Sequence, residues 1–342
     1  MRIVVTGATG NIGTGVVRAL RADPQVESVV GLARRPAEDS VTADVERDDL
    51  VPHFRGADAV VHLAWLFQPT HRPERTWRAN VLGSLRVFDA AATAGVPKLV
   101  YASSVGAYSP REDDEPVTED WPTHGWPGAA YTREKSYVER YLDAFEHRHP
   151  KLEVVRLRPG FVFQRSAATE QRRLFAGPFL PGSLVRPGLV PVLPDIPGLR
   201  FQVVHTDDLA DAVRRTLTRP VRGAFNIATA PVVTPRYVAQ LLGARTIPLP
   251  PAAVRAAVSA AWRVHAVPAS PGLFDAVLRL PLLDTGRAES ELDWQPRHDA
   301  ASTVREFLAG LRSGAGADTA PLAPDRPRRR LHEIATGIGR RP

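Results

Sequence analysis

The chain has no cysteine in its 342 residues. That excludes disulfides, thiolate metal sites and a cysteine nucleophile, and it favours a cytoplasmic protein. Lysine is scarce: Lys98, Lys135 and Lys151 are the only three, and the other 41 of the 44 basic residues are arginine. No window supplies the roughly 18 uncharged apolar residues of a membrane span, because even the apolar run after Pro250 is cut by Arg255 and Arg263. The start, "MRIVVTGATG", passes from one arginine straight into a β-branched run with no apolar stretch long enough for a signal peptide. The expectation is a protein neither exported nor membrane-spanning.

What is present is ordinary for a globular protein: 44% hydrophobic and 24% charged residues. The net charge of +7 is unevenly spread. From Ala315 onward Arg326, Arg328, Arg329, Arg330, Arg340 and Arg341 face only Asp318, Asp325 and Glu333, so +3 belongs to the tail and the body is only mildly basic. A nucleic-acid partner is therefore not expected. Residues 313–342 read as a disordered basic tail, a solvated appendage rather than a specific site for an anionic partner.

In the first 150 residues short apolar runs alternate with longer amphipathic ones. "RIVVTG", "SVVGLA", "ADAVVHLAW" and "PKLVYASS" are apolar almost throughout, as buried parallel strands are. Helical patterns separate them, one with Val81, Leu85 and Phe88 on a face and a stop at Gly95. Repeated βαβ units with right-handed crossovers predict an α/β fold, a Rossmann-type doubly wound parallel sheet. Residues 160–200 turn Pro- and Gly-rich and lose any period; a second such excursion runs over 231–312 and includes a helix capped by Asp299. The predicted organisation is a nucleotide-binding domain over 1–159 and 201–230, and a smaller discontinuous C-terminal substrate lobe over 160–200 and 231–312.

"TGATGNIG" places Gly7, Gly10 and Gly13 between the first strand and the first helix, with Thr9, Asn11 and Ile12 between them. Such glycines allow a tight turn, close backbone approach to a pyrophosphate and close packing of helix on strand. The second strand ends in "GLARRP", with Arg34 and Arg35 where an acidic residue would grip a free ribose 2′-hydroxyl. Arginine there favours NADP over NAD, although this chain uses arginine widely. Asp44 and Val45 fall at the next strand end, where they border an adenine or simply form a loop.

In "YTREKSYVERY", Tyr131 and Lys135 stand four apart and so share a helix face. A nearby ammonium stabilises a phenolate and lowers its pKa, and a chain that otherwise writes arginine keeps lysine here. Together with "TGATGNIG", "VVHLA", "NVLGSLRVFDAA", "YASSVGAY", "PVTEDWP", "VRLRPGFVF", "FQVVHTDDLADA" and "AESELDWQP", the motif gives a chain that resembles the extended short-chain dehydrogenase/reductases, the NAD-dependent epimerase/dehydratase family, over about residues 1–312. The resemblance implies that Ser104, rather than Ser103, hydrogen-bonds the reacting oxygen, that Tyr131 is the acid/base and that Lys135 holds the nicotinamide ribose. It puts Leu63, Ala64 and Pro159 beside the cofactor, His62 in a backbone-positioning role, and Asn80 near the site or in a helix-interior contact. It also implies a homodimer through the helices of Asn80 and Tyr131. No metal is expected.

The reaction is less determined. Sugar-nucleotide epimerases of this family carry an asparagine that reaches a substrate phosphate; "RLRP", Arg156 to Pro159, has proline there. The first reading is an NADP-dependent oxidoreductase of a secondary alcohol or ketone. A nucleotide-sugar epimerase or dehydratase is second, and an NADP-sensing binding protein third. Arg165, Arg172, Arg173 and Arg186 leave an anionic substrate open.

Overall fold

The computed structural model describes residues 1–68, 70–180 and 182–339; Arg340 and Arg341 of the tail lie outside the described residues. The strands in chain order are β1 (Arg2–Thr6), β2 (Ser28–Ala33), β3 (Ser40–Thr42), β4 (Ala59–His62), β5 (Lys98–Ala102), β6 (Glu153–Pro159), β7 (Phe161–Phe163), β8 (Val192–Asp195), β9 (Phe201–His205), β10 (Gly223–Ile227), β11 (Thr229–Val233) and β12 (Arg245–Pro248). Seven make one parallel sheet in the order β10-β6-β5-β4-β1-β2-β3.

The continuous apolarity of these strands reflects burial on both faces. Ile3, Val5, Val61, Val100 and Val155 face the helices Asn11–Arg21 and Thr206–Thr218. Their neighbours Val4, Val60, Leu99 and Val154 face the helices Gly83–Thr93 and Ala130–Arg148. The strand order reverses between β1 and β4, where Thr6 pairs with His62. Ligands of open α/β sheets sit beyond the carboxyl ends of the strands at such a point.

The second unit is built from both excursions. A three-stranded sheet, β11-β9-β7, and a two-stranded one, β12-β8, pack with the helices Pro235–Leu242, Pro251–Arg263, Pro271–Val277 and Ala300–Ser313. Asp299 caps the last of these, its carboxylate accepting from Ser302 N at 2.7 Å. The structure corrects the sequence-based boundary at 201: β9 pairs with β7 and β11, not with the large sheet. Phe161 and Phe201, 4.8 Å apart, share a separate apolar cluster with Val203, Val233 and Val304.

The larger correction concerns the tail. Its described residues are ordered against the body: Leu322 is fully buried, Ala323 and Ile338 nearly so, and Pro327–Thr336 is a helix. The reason is a set of long-range polar anchors. Arg172 and Glu333 form a buried ion pair at 3.2 Å, Thr169 donates to Ala315 O at 2.6 Å, and Arg330 Nη1 donates to Pro178 O at 3.1 Å. No described helix is long and apolar enough to cross a membrane.

Candidate active site

The three loop glycines are glycine for different reasons. Gly7 has φ of +72° and a Cβ there would meet Ala64 N at 2.7 Å; a Cβ on Gly13 would meet Gly7 O at 2.1 Å. Gly10 is different, since its nearest protein atom would be 3.5 Å away. A side chain at Gly10 would instead fill the cleft in front of the loop, which both cavities described below share. That cradle, at the N-terminus of the helix Asn11–Arg21 with no acidic residue in its first turn, suits a pyrophosphate.

Two adjoining cavities meet at the loop. One, of about 180 Å³, is lined by Gly7, Thr9, Gly10, Arg34, Arg35, Asp44, Val45, Leu63 and Ala64. The other, of about 370 Å³, is lined by Gly7, Gly10, Asn11, Ile12, Gly13, Leu63, Ser104, Tyr131, Lys135 and Pro159. Every residue singled out from the sequence for cofactor or chemistry thus lies on one continuous cleft. Asn11 is fixed by the lobe: it donates to Val162 O at 2.9 Å, and Gln164 donates to its side-chain oxygen at 3.0 Å.

In the larger cavity Tyr131 lies beside Ser104, whose Oγ accepts from Gly106 N at 3.0 Å. Burial pushes the Tyr131 phenol up to about 12; the Ser104 hydroxyl opposes this and Glu134 adds to it. Lys135 lines the same cavity. Its Nζ is turned to Ala102 O at 2.7 Å and Tyr101 Oη at 3.3 Å, with the Trp65 ring 3.5 Å away. Burial draws the Lys135 ammonium well below its ordinary value, against Glu139 and Glu134.

The remaining candidates divide into site and scaffold. Ser103 faces Glu139 at 2.5 Å. Burial would raise that carboxyl, but Arg158 and Arg156 hold it down at about 2. Asn80, in a π-helical turn over Arg78–Leu82, bonds Leu66 N and O at 2.7 and 2.8 Å and Glu134 at 2.6 Å, so it braces the loop after β4. Ser84 donates its only hydroxyl hydrogen to Asn80 O. His62 Nε2 must therefore be the donor to Ser84 Oγ at 2.8 Å, and Nδ1 accepts from Thr6 Oγ1 at 2.7 Å. Burial and Lys135 draw His62 down to about 3, which keeps it neutral.

Several cleft residues escaped sequence reasoning. Phe67 stacks on Tyr131 with centroids 4.7 Å apart, and Trp65 meets it edge-on at 6.0 Å; the aromatic "AWLFQ" that overlaps the end of "VVHLA" was the available signal. Glu170 and Arg173 come from the lobe, and Ala320 and Pro321 from the tail, to line the smaller cavity. No local pattern announces these.

A family model, the NAD dependent epimerase/dehydratase family, matches residues 3–228. An uncharacterized protein of Mycobacterium tuberculosis (strain ATCC 25618 / H37Rv) is 27% identical over 325 residues, 92% of this chain; the chain spans only 31% of that protein's length. L-arabinose 1-dehydrogenase (NAD(P)(+)) of Haloferax volcanii is 33% identical over 183 residues, 50% of this chain and 70% of that protein. Among solved structures, the Thermus thermophilus UDP-glucose 4-epimerase complex with NAD superposes with a TM-score of 0.68 at 23% identity, covering 92% of this chain and all of that one. With the family model matched over about two thirds of its length, the chain belongs to the NAD-dependent epimerase/dehydratase family.

Proposed function

We propose that the protein is an NADP-dependent oxidoreductase that moves a hydride between the nicotinamide and the carbinol or carbonyl carbon of an apolar small molecule. The observation that carries this is the lining of the larger cavity. Lys135 and Glu170 are the only charged side chains among its described residues, and the wall opposite the glycine loop is Phe67, Phe161, Phe175, Leu273, Phe274 and Leu280. A nucleoside diphosphate would need cations there. Two of the arginines that left an anionic substrate open are engaged elsewhere: Arg172 with Glu333, and Arg173 on the smaller cavity. The sugar dehydrogenase relative also supports an oxidoreductase.

The dinucleotide would lie with its pyrophosphate on the Gly7–Gly13 loop, its adenosine end beside Arg34, Arg35, Asp44 and Val45, and its nicotinamide ribose by Lys135. When bound, it supplies or takes up the hydride. The protein's share is to place the substrate oxygen between Ser104 and Tyr131, to exclude water with the aromatic wall, and to deliver a proton from Tyr131 Oη as the carbonyl oxygen gains charge. A phenol that stays neutral suits donation in the reductive direction.

The test is incubation of the enzyme and NADPH with ketones, aldehydes and nucleotide sugars. Stoichiometric loss of NADPH absorbance with an apolar ketone is expected. Isomerised nucleotide sugar without net loss of cofactor would instead establish an epimerase.

A further inference from the structure

Resting on the cofactor reading above, a third guanidinium enters the picture from the opposite wall of the cleft. Arg173 stands in a π-helical turn of the lobe, Arg172–Ala176, far along the chain from Arg34 and Arg35, yet it lines the same small cavity. It is held there from two sides. Gln68 donates to its carbonyl at 3.1 Å, and its Nη2 donates to Pro321 O of the C-terminal segment at 2.9 Å.

That segment is anchored independently. Thr319 donates to Thr9 O of the glycine loop at 2.8 Å, and Glu333 pairs with Arg172 at 3.2 Å. The Arg173 side chain is therefore fixed at the cleft mouth, and its buried Nε has no hydrogen-bond partner among the described residues. Burial lowers its pKa; Glu170 and Glu333 oppose this, and Arg172 and Arg35 add to it by like-charge repulsion. The described charged side chains of this cavity are three guanidinium groups and the carboxyls of Asp44 and Glu170. A dianion is the ligand chemistry that such a convergence fits.

We propose that Arg173 is a specificity-determining ligand for the cofactor's 2′-phosphate, completing across the cleft the site begun by Arg34 and Arg35. The substrate lobe and the C-terminal segment then share in choosing the cofactor. An aspartate or glutamate at the end of β2 is the usual means of rejecting that phosphate; here the choice is reinforced from a different element.

Binding titrations with NADPH and with NADH, on the full chain and without substrate, test this. Wild type must first bind NADPH more tightly than NADH; if it does not, the NADP reading itself is wrong. In Arg173→Gln, NADPH binding should weaken roughly 10- to 100-fold, as loss of a charge-assisted contact implies, while NADH binding stays within about 2-fold. Arg173→Lys keeps the charge and the contact to Pro321 but loses the fork, and should show the same selective loss to a smaller degree. An unchanged NADPH-to-NADH ratio in either folded variant, whether both affinities fall together or neither moves, would overturn the assignment.

Discussion

The Trp65 indole covers the Lys135 ammonium, with Nζ 3.5 Å from the ring centroid. The cation is buried on its remaining sides by Tyr101 and the Ala102 carbonyl. Its two acidic neighbours have other partners as well: Glu134 is bonded by Thr76 and Asn80, and Glu139 by Arg156 and Arg158.

Lys135→Met should therefore separate stability from function. The variant removes a desolvated charge and keeps the unbranched stem, so the melting temperature should stay level or rise. Activity should fall by at least about 100-fold with loss of the group proposed to hold the ribose. Lys135→Arg should lose both, because a planar fork does not fit between the indole and Ala102. Calorimetry beside initial rates checks the pair; a strongly destabilised methionine variant would contradict it.

Tyr131 gives a pH prediction. With its phenol pushed up to about 12 by burial, the protonated form, which is the donor in the proposed carbonyl reduction, is present throughout the neutral range. Ultraviolet difference titration of wild type against Tyr131→Phe should show no Tyr131 ionisation below about pH 11. The same substitution should lower turnover by roughly 100- to 10,000-fold and leave NADPH binding nearly intact. Undiminished turnover in Tyr131→Phe would remove Tyr131 from the mechanism.

The contrast between these two residues shows what a sequence reveals about a site. The glycine loop, Tyr131 and Lys135 are legible because their meaning is local: a strand-turn-helix junction and a four-residue helical spacing. The electrostatic link between Lys135 and Tyr131 is not legible, because it depends on where the ammonium turns, and Trp65 and Ala102 decide that. The parallel sheet is written in runs buried on both faces. The pairing of β9 with β7 is not, because Phe201 and Phe161 meet only once the lobe has folded.

Glu170 lies on both cavities, half-buried. Burial pushes its carboxyl up to about 7, with Arg173 opposing. The folded state thus keeps a proton that the unfolded state releases near the ordinary glutamate value of about 4.3. Stability linked to this group falls as pH rises from there to about 7. An anionic cofactor beside it favours the protonated form further, so NADPH affinity should decline as pH rises through 7 and above. Glu170→Gln should flatten that dependence between about pH 6 and 8.5; fluorescence titrations at several pH values decide it, and a slope retained in the variant would place its origin elsewhere.

The C-terminal segment supplies the last prediction. An Arg- and Pro-rich tail reads as disordered by composition, yet its anchors are Arg172, Thr169 and Thr9, none of them nearer than 146 residues in sequence to its partner. Glu333 and Arg172 are both almost fully shielded, with side chains 5% and 4% exposed. Breaking such a pair from one side leaves a buried charge unpaired, a loss of about 3–5 kcal/mol. Glu333→Gln keeps the shape and a hydrogen-bonding oxygen, so its loss should be smaller than that of ending the chain after Ser313, which also exposes the surface covered by Leu322 and Ala323. Denaturant unfolding should rank wild type above Glu333→Gln and both above the truncated chain. A truncated chain as stable as wild type would mean that the segment does not hold the Arg172 turn, and with it Arg173, in place.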